Sequence, residues 1–201
     1  MNKDLRLSKV LQIVILAIIL ILISLNISQL RLLLLLIPVP FALIGTLSNL
    51  TNSIASLIII FLALAYMIKP IQAMDIFINS IVPGLIIGII AKKVIREKDS
   101  NKYEPIFMGS IVFIIAIIAY YFMYKYAFKI DILNEFLQIL DKGLESQKDV
   151  LKSAGNELLK SDTFRKIIPS VLFFRSMILS IIIYLIEIFL LRRMKYDDLS
   201  E

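Results

Sequence analysis

The sequence predicts an all-α membrane protein: six transmembrane helices in a bundle, with a long extracytoplasmic amphipathic helical segment between helices 5 and 6. Three observations predict this class. Between Arg31 and Lys69, 37 consecutive residues contain no Asp, Glu, Lys or Arg. Similar apolar runs recur before and after this stretch. Finally, 59% of the 201 residues are hydrophobic and the mean hydropathy is +0.88, whereas soluble domains are about 45–50% apolar.

The spans follow from the rule that each crossing of the hydrocarbon core needs about 20 apolar residues. Lys3, Arg6 and Lys9 resemble the start of a signal peptide, but the apolar run that follows is too long and lacks an A-x-A-like site. Pro38 and Pro40 predict a second span that bends or begins irregularly. A re-entrant hairpin is the alternative for the charge-free run. The predicted spans are 10–26, 32–47, 54–68, 71–91, 106–128 and 167–191, in a single membrane domain of residues 1–201.

The distribution of basic residues predicts the orientation in the membrane. Eleven Lys and Arg residues lie in the two tails and in segment 92–102, whereas the short opposite connectors contain only Arg31 and Lys69. The positive-inside rule therefore predicts cytoplasmic termini in a bacterial cytoplasmic membrane. Segment 130–166 adds basic residues on the other side, but its acidic residues and helical pattern indicate a folded segment. The net charge of +6 does not indicate nucleic-acid binding, because the positive-inside bias and contact with anionic lipid headgroups account for the basic residues.

Segment 130–166 has a heptad pattern of apolar residues with charged residues between them, which predicts a helix. Gly143 and Gly155 are candidate breaks. One interpretation is an amphipathic helix or helical hairpin that lies on the outer leaflet or caps the bundle. The other is a coiled coil that joins a protein partner or a second copy, or a lid over a cavity. The heptad positions are Leu133, Leu137, Leu140, Leu144, Gln147, Leu151, Ala154 and Leu158.

Missing residue types exclude several kinds of chemistry. The chain contains no Cys and no His, so it lacks thiolate nucleophiles, the commonest metal ligand and the usual proton shuttle. It also lacks the G-x-x-x-x-G-K-[ST] loop that binds ATP phosphates. We therefore expect no enzyme activity, no cofactor and no metal site.

A few polar residues inside the spans form the candidate binding site. Gln72, Asp75 and Asn79 share one stripe on the outer half of the fourth span. Arg175 lies in the sixth span, where an arginine costs about 2.5–3.5 kcal/mol unless it finds a partner. We expect Asp75 and Arg175 to meet inside the bundle and to bind a small anionic or zwitterionic solute. The alternative is an ion pair that only fixes helix register.

The end of the fifth span is rich in tyrosine and phenylalanine. Tyr120 and Tyr124 are four residues apart and could stack on a ligand. The alternative is an aromatic belt at the membrane interface, which the neighbouring Lys125 and Lys129 favour.

Two further features of the spans suggest structural roles. Gly84 and Gly88 form a G-x-x-x-G pattern, which predicts close packing between helices. Glu187 lies near the cytoplasmic end of the last span, about one turn before Arg192. We expect these two side chains to pair at the membrane surface, without a role in function.

Several short motifs resemble the YybS family of bacterial membrane proteins. They are residues 36–42 (LIPVPFA), residues 82–88 (VPGLIIG) before a basic segment, the long amphipathic insert, Ile168-Pro169-Ser170, and Arg192-Arg193. That family is often likened to the substrate-binding S components of energy-coupling-factor transporters. The resemblance implies six spans, cytoplasmic termini and a ligand pocket that opens outward.

One residue pattern departs from those S components. They dock their membrane partner through an A-x-x-x-A patch in the first helix. The first predicted span of this chain has a single alanine, Ala17, and therefore lacks that patch. Coupling to an ATPase module is therefore not predicted. The leading hypothesis is a transporter-type protein that binds a small solute. The alternative is an envelope scaffold, similar in type to the MreD morphogenesis components, that acts through protein partners.

Overall fold

The computed structural model describes residues 3–97, 101–146 and 161–194, which are helical apart from short connections. The elements in chain order are α1 (Lys3–Asn26), a 3₁₀-helix (Ser28–Leu36), α2 (Pro38–Leu47), α3 (Leu50–Met67), α4 (Pro70–Ile76), a π-helical segment (Phe77–Ile81), α5 (Val82–Arg96), α6 (Glu104–Ala127), α7 (Ile132–Ser146) and α8 (Ser161–Arg193).

Six stretches of the described residues are long and apolar enough to cross a membrane, so the predicted fold class is confirmed. Their bounds agree with the predicted spans to within a few residues, except where charged residues lengthen the helices at their ends. The stretches are Ser8–Asn26, Ser28–Leu47, Leu50–Met67, Pro70–Arg96, Glu104–Ala127 and Lys166–Arg193.

The second span begins irregularly, as the two prolines predicted. A 3₁₀-helix leads into α2, whose first turn contains Pro38 and Pro40. Proline is tolerated there because the first N–H groups of a helix have no partner inside it. All ten residues of α2 are buried, which makes it the central helix of the bundle.

Glycines allow α2 and α5 to pack with their backbones in contact. A Cβ atom on Gly84 would overlap backbone atoms of Pro38, and one on Gly88 would overlap the carbonyl group of Ala42. Gly45 of α2 has the same relation to the backbone of α5. The predicted packing role of the G-x-x-x-G pattern is therefore confirmed.

A π-helical segment interrupts the fourth span between α4 and α5. The Val82 N–H bonds to the Phe77 carbonyl, five residues earlier. Pro83 follows at once and cannot donate a backbone hydrogen bond, which favours an irregular turn here. π-helical turns are rare and often lie at functional sites. This one contains Asn79, a predicted site residue.

The segment after the fifth span begins with α7, which packs against α6 and α8. Leu137 of the predicted heptad is buried, and Leu133 is partly buried. The helix continues through Gly143, so the break predicted there does not occur. The helical prediction is thus confirmed as far as Ser146. Gln147, Leu151, Ala154, Gly155 and Leu158 lie outside the described residues.

Candidate functional site

A hydrogen bond between α6 and α4 forms the centre of the candidate site. The Tyr124 hydroxyl lies 3.0 Å from each carboxylate oxygen of Asp75 and donates to that group. The Tyr120 and Tyr124 rings contact each other, with centroids 4.6 Å apart. All three side chains are half-buried. The structure therefore brings together three of the six predicted site residues.

Asn79 and Gln72 were both predicted to share a helix face with Asp75, but the surroundings of Asn79 differ from those of Gln72. Asn79 lies in the π-helical segment, is half-buried, and makes no side-chain hydrogen bond to the described residues. Its amide therefore remains able to bind a ligand. Gln72 is exposed and lines another cleft, about 760 Å³ in volume, beside Tyr66 and Lys69. The structure thus separates Gln72 from the tyrosines.

Arg175 does not pair with Asp75, contrary to the sequence-based hypothesis. Its side chain is exposed on α8, next to the exposed rings of Phe173 and Phe174. Neither Asp75 nor Arg175 forms an ion pair with another described residue, whereas Lys93 and Glu104 do, at 3.7 Å. An arginine side chain is long enough for its charged end to approach the membrane surface while its stem covers apolar surface. A role for Arg175 in solute binding stays a prediction.

An apolar cleft adjoins the Asp75–Tyr124 pair. It encloses about 740 Å³ between α6, α7 and α8. Tyr120 lines this cleft and also contacts Tyr124, so the polar pair and the apolar space share one residue. The other lining residues are Ile117, Ile118, Tyr121, Phe122, Ile132, Leu133, Phe136, Ile167, Ile168, Val171 and Leu172.

The family of the chain follows from a match that covers residues 14–200. The matching family is described as a predicted membrane protein (DUF2232). The chain belongs to this family. It matches no curated protein and no solved structure. Family and fold together identify a multi-pass membrane protein with several apolar helices.

This DUF2232 protein also contains a buried acidic residue that sequence reasoning assigned to the membrane surface. Glu187 is wholly inaccessible to solvent, and the Thr46 hydroxyl of α2 contacts its Oε1 atom. Arg192 is exposed, and the expected pair between the two residues does not form. Ser176, Ser180 and Glu187 lie on one face of α8, and this spacing was the signal that could have revealed an inward orientation.

Proposed function

We propose that this protein is a transporter-type membrane protein that binds a small solute through Asp75, Tyr124, Tyr120 and Asn79. One observation carries the proposal: the Asp75 carboxylate lies inside a span and pairs with no cationic side chain of the described residues. Ionisable residues within membrane spans are rare and mark a binding or transport site by default. Tyr124 supplies one hydroxyl donor, which leaves room for a further donor from a ligand.

The surroundings of Asp75 indicate the chemical class of the solute. A carboxylate with spare acceptor capacity favours an ammonium group, since charge-assisted hydrogen bonds are the stronger ones. The adjoining cleft would hold an apolar portion of the same molecule, and its volume lies within the range of ligand pockets, about 300–1,000 Å³. A zwitterionic or cationic solute with an apolar part meets both conditions. A purely anionic solute would need Arg175, which is not at this site.

The predicted topology supports access from outside the cell. Asp75 follows the start of the fourth span, and Tyr124 precedes the end of the fifth, at the ends that the positive-inside rule assigns to the extracytoplasmic side. The resemblance to the YybS family, which is often likened to transporter S components, favours an outward-opening pocket. The single Ala17 in α1 gives no support to coupling with an ATPase module.

Thermal unfolding in detergent with a panel of zwitterionic and cationic amphiphiles tests this function. At a concentration 100 times its Kd, a ligand stabilises the folded state by about 2.7 kcal/mol. We expect Asp75→Asn to weaken such binding roughly 10- to 100-fold, because a hydrogen bond to a charged group contributes about 1.5–3 kcal/mol. Mass spectrometry of co-purified molecules would identify the natural ligand.

The matched control is a second tyrosine on α6. Tyr124→Phe removes the hydroxyl that contacts Asp75 and is expected to reduce binding. Tyr126→Phe removes a hydroxyl from an exposed side chain and should have no effect. Equal binding by wild type and Asp75→Asn would refute the proposed site, provided both proteins unfold cooperatively.

The scaffold alternative is favoured by a different observation. Ile139 of α7 is exposed, outside the six spans and outside the lining of the apolar cleft. A scaffold should show no stabilisation by any solute of the panel, and it should lose a protein partner when Ile139 becomes serine. Asp75→Asn should leave that partner bound. The same pair of variants therefore separates the two functions.

A further inference from the structure

Three helices meet at a buried cluster of oxygen atoms, toward the opposite end of the fourth span from Asp75. Glu187 of α8 is wholly enclosed, and the Thr46 hydroxyl of α2 contacts its Oε1 atom. The same hydroxyl lies 2.9 Å from the Gly88 carbonyl oxygen of α5 and 3.2 Å from that of Ala42. The second carboxyl oxygen of Glu187 is buried and has no hydrogen-bond partner among the described residues.

The distribution of protons in this cluster favours a neutral Glu187. Carbonyl oxygens only accept hydrogen bonds, and the Thr46 hydroxyl has a single hydrogen to give. If Glu187 were ionised, this hydrogen would go to Oε1, and the hydroxyl oxygen would face the Gly88 carbonyl without a proton between them. If Glu187 carries a proton, it donates to Thr46, and Thr46 donates to Gly88. Both contacts then contain a proton.

The charge balance around Glu187 leads to the same conclusion. No cationic side chain of the described residues lies within 4.0 Å of its carboxyl group. Lys92 donates to the Ser48 carbonyl oxygen, Lys93 pairs with Glu104, and α2 has no charged residue. An ionised, unpaired carboxylate in an apolar interior is strongly unfavourable. Tyr184, half-buried on α8, is a titratable group one turn before Glu187, and the titratable groups farther toward this end of the bundle include Lys9, Arg96, Arg192 and Arg193.

We propose that Glu187, Thr46 and the Gly88 carbonyl form a proton-binding site within the membrane. The protonated carboxyl group joins α8 to the α2–α5 pair. Release of the proton would place an unpaired charge between these helices and favour their separation, because the charge then needs water or a cation. Such a site can couple proton movement to a change in helix packing. It stands independently of the Asp75 site, so loss of solute binding would not affect it.

Infrared difference spectroscopy on the full chain in detergent tests the site. The spectrum near neutral pH should contain the C=O band of a protonated carboxylic acid that disappears in Glu187→Gln. The matched control is Glu104→Gln, which alters a partly exposed glutamate and should keep the band. In the wild type the band should decrease reversibly as the pH is raised. Glutamine resembles the neutral acid in shape, so Glu187→Gln is expected to fold.

Three results would overturn the proposal. The first is a wild-type spectrum with no such band near neutral pH. The second is a band that Asp75→Asn removes and Glu187→Gln leaves in place. The third is stabilisation by sodium ions that Glu187→Gln abolishes, which would indicate a metal-ion site. If Glu187→Gln fails to fold, Thr46→Val provides the test: the band should shift because its hydrogen-bond partner is gone, and an unshifted band contradicts the proposal.

Discussion

Gly88 combines two roles at the closest approach of α2 and α5. It has no Cβ, which lets the Ala42 backbone lie against it, and its carbonyl oxygen lies beside the Thr46 hydroxyl. Gly143, in contrast, lies in α7 with open space where a Cβ would be. The two glycines therefore allow a comparison between a glycine whose missing Cβ permits helix packing and one where an added Cβ would meet no described atom within 4 Å.

We predict opposite effects when each of these glycines becomes alanine. Gly88→Ala should destabilise the bundle by roughly 1–3 kcal/mol, because the added methyl group must push two helices apart. Gly143→Ala should be neutral or stabilise by up to about 1 kcal/mol, because glycine is a poor helix former. Thermal unfolding in detergent measures both. Equal melting temperatures for wild type and Gly88→Ala would contradict the close backbone contact.

Glu187 and Arg175 show where prediction failed at single residues. The sequence located both in the last span, but it gave the wrong surroundings: Glu187 is buried, and Arg175 is exposed. The helix that contains them is apolar around most of its circumference. Amphipathic periodicity therefore does not reveal which face turns inward. Ser176 and Ser180 were the one available signal of a buried face.

Among the helices, α7 is an addition to the six membrane spans. It lies against the ends of α6 and α8 and closes one side of the apolar cleft. Leu137 is 4% exposed and Ile139 is 69% exposed, so one helix provides a packed and an unpacked aliphatic side chain. The described part of α7 thus agrees with a helix that caps the bundle.

Truncation of these two side chains tests how α7 is held. Leu137→Ala should weaken its docking by an amount up to the roughly 2–5 kcal/mol seen for buried leucines. The amides of α7 should then exchange hydrogen faster, because local opening becomes easier. Ile139→Ala should leave the exchange of α7 unchanged. Similar exchange in both variants would mean that α7 is not anchored through Leu137.

At the scale of the whole molecule, orientation in the membrane is the prediction that matters most for both proposed sites. It assigns the Asp75 site to the extracytoplasmic side and Glu187 to the cytoplasmic half. The chain contains no cysteine, so single cysteines can be introduced into an otherwise wild-type background. Asn101 and Gln138 are exposed and lie in connections on opposite predicted sides.

We expect a membrane-impermeant thiol reagent to label Gln138→Cys in intact cells. Asn101→Cys should react only after the cells are permeabilised, because the basic segment around it is predicted to be cytoplasmic. The reverse pattern would place both termini outside the cell and would exchange the sides of the two proposed sites. Denatured samples of both variants serve as the control for complete labelling.

Six membrane helices and the irregular start of the second span could both be predicted from the amino-acid sequence. These are local properties: bilayer thickness sets the length of an apolar run, and proline changes the backbone where it occurs. The sequence also placed Asp75 and Tyr124 among the candidate residues. The contact between these two residues, the separation of Arg175 from them and the contact of Glu187 with Thr46 became visible in the folded protein. Pairing depends on the rotation of each helix about its axis, which a helix that is apolar on all sides does not encode.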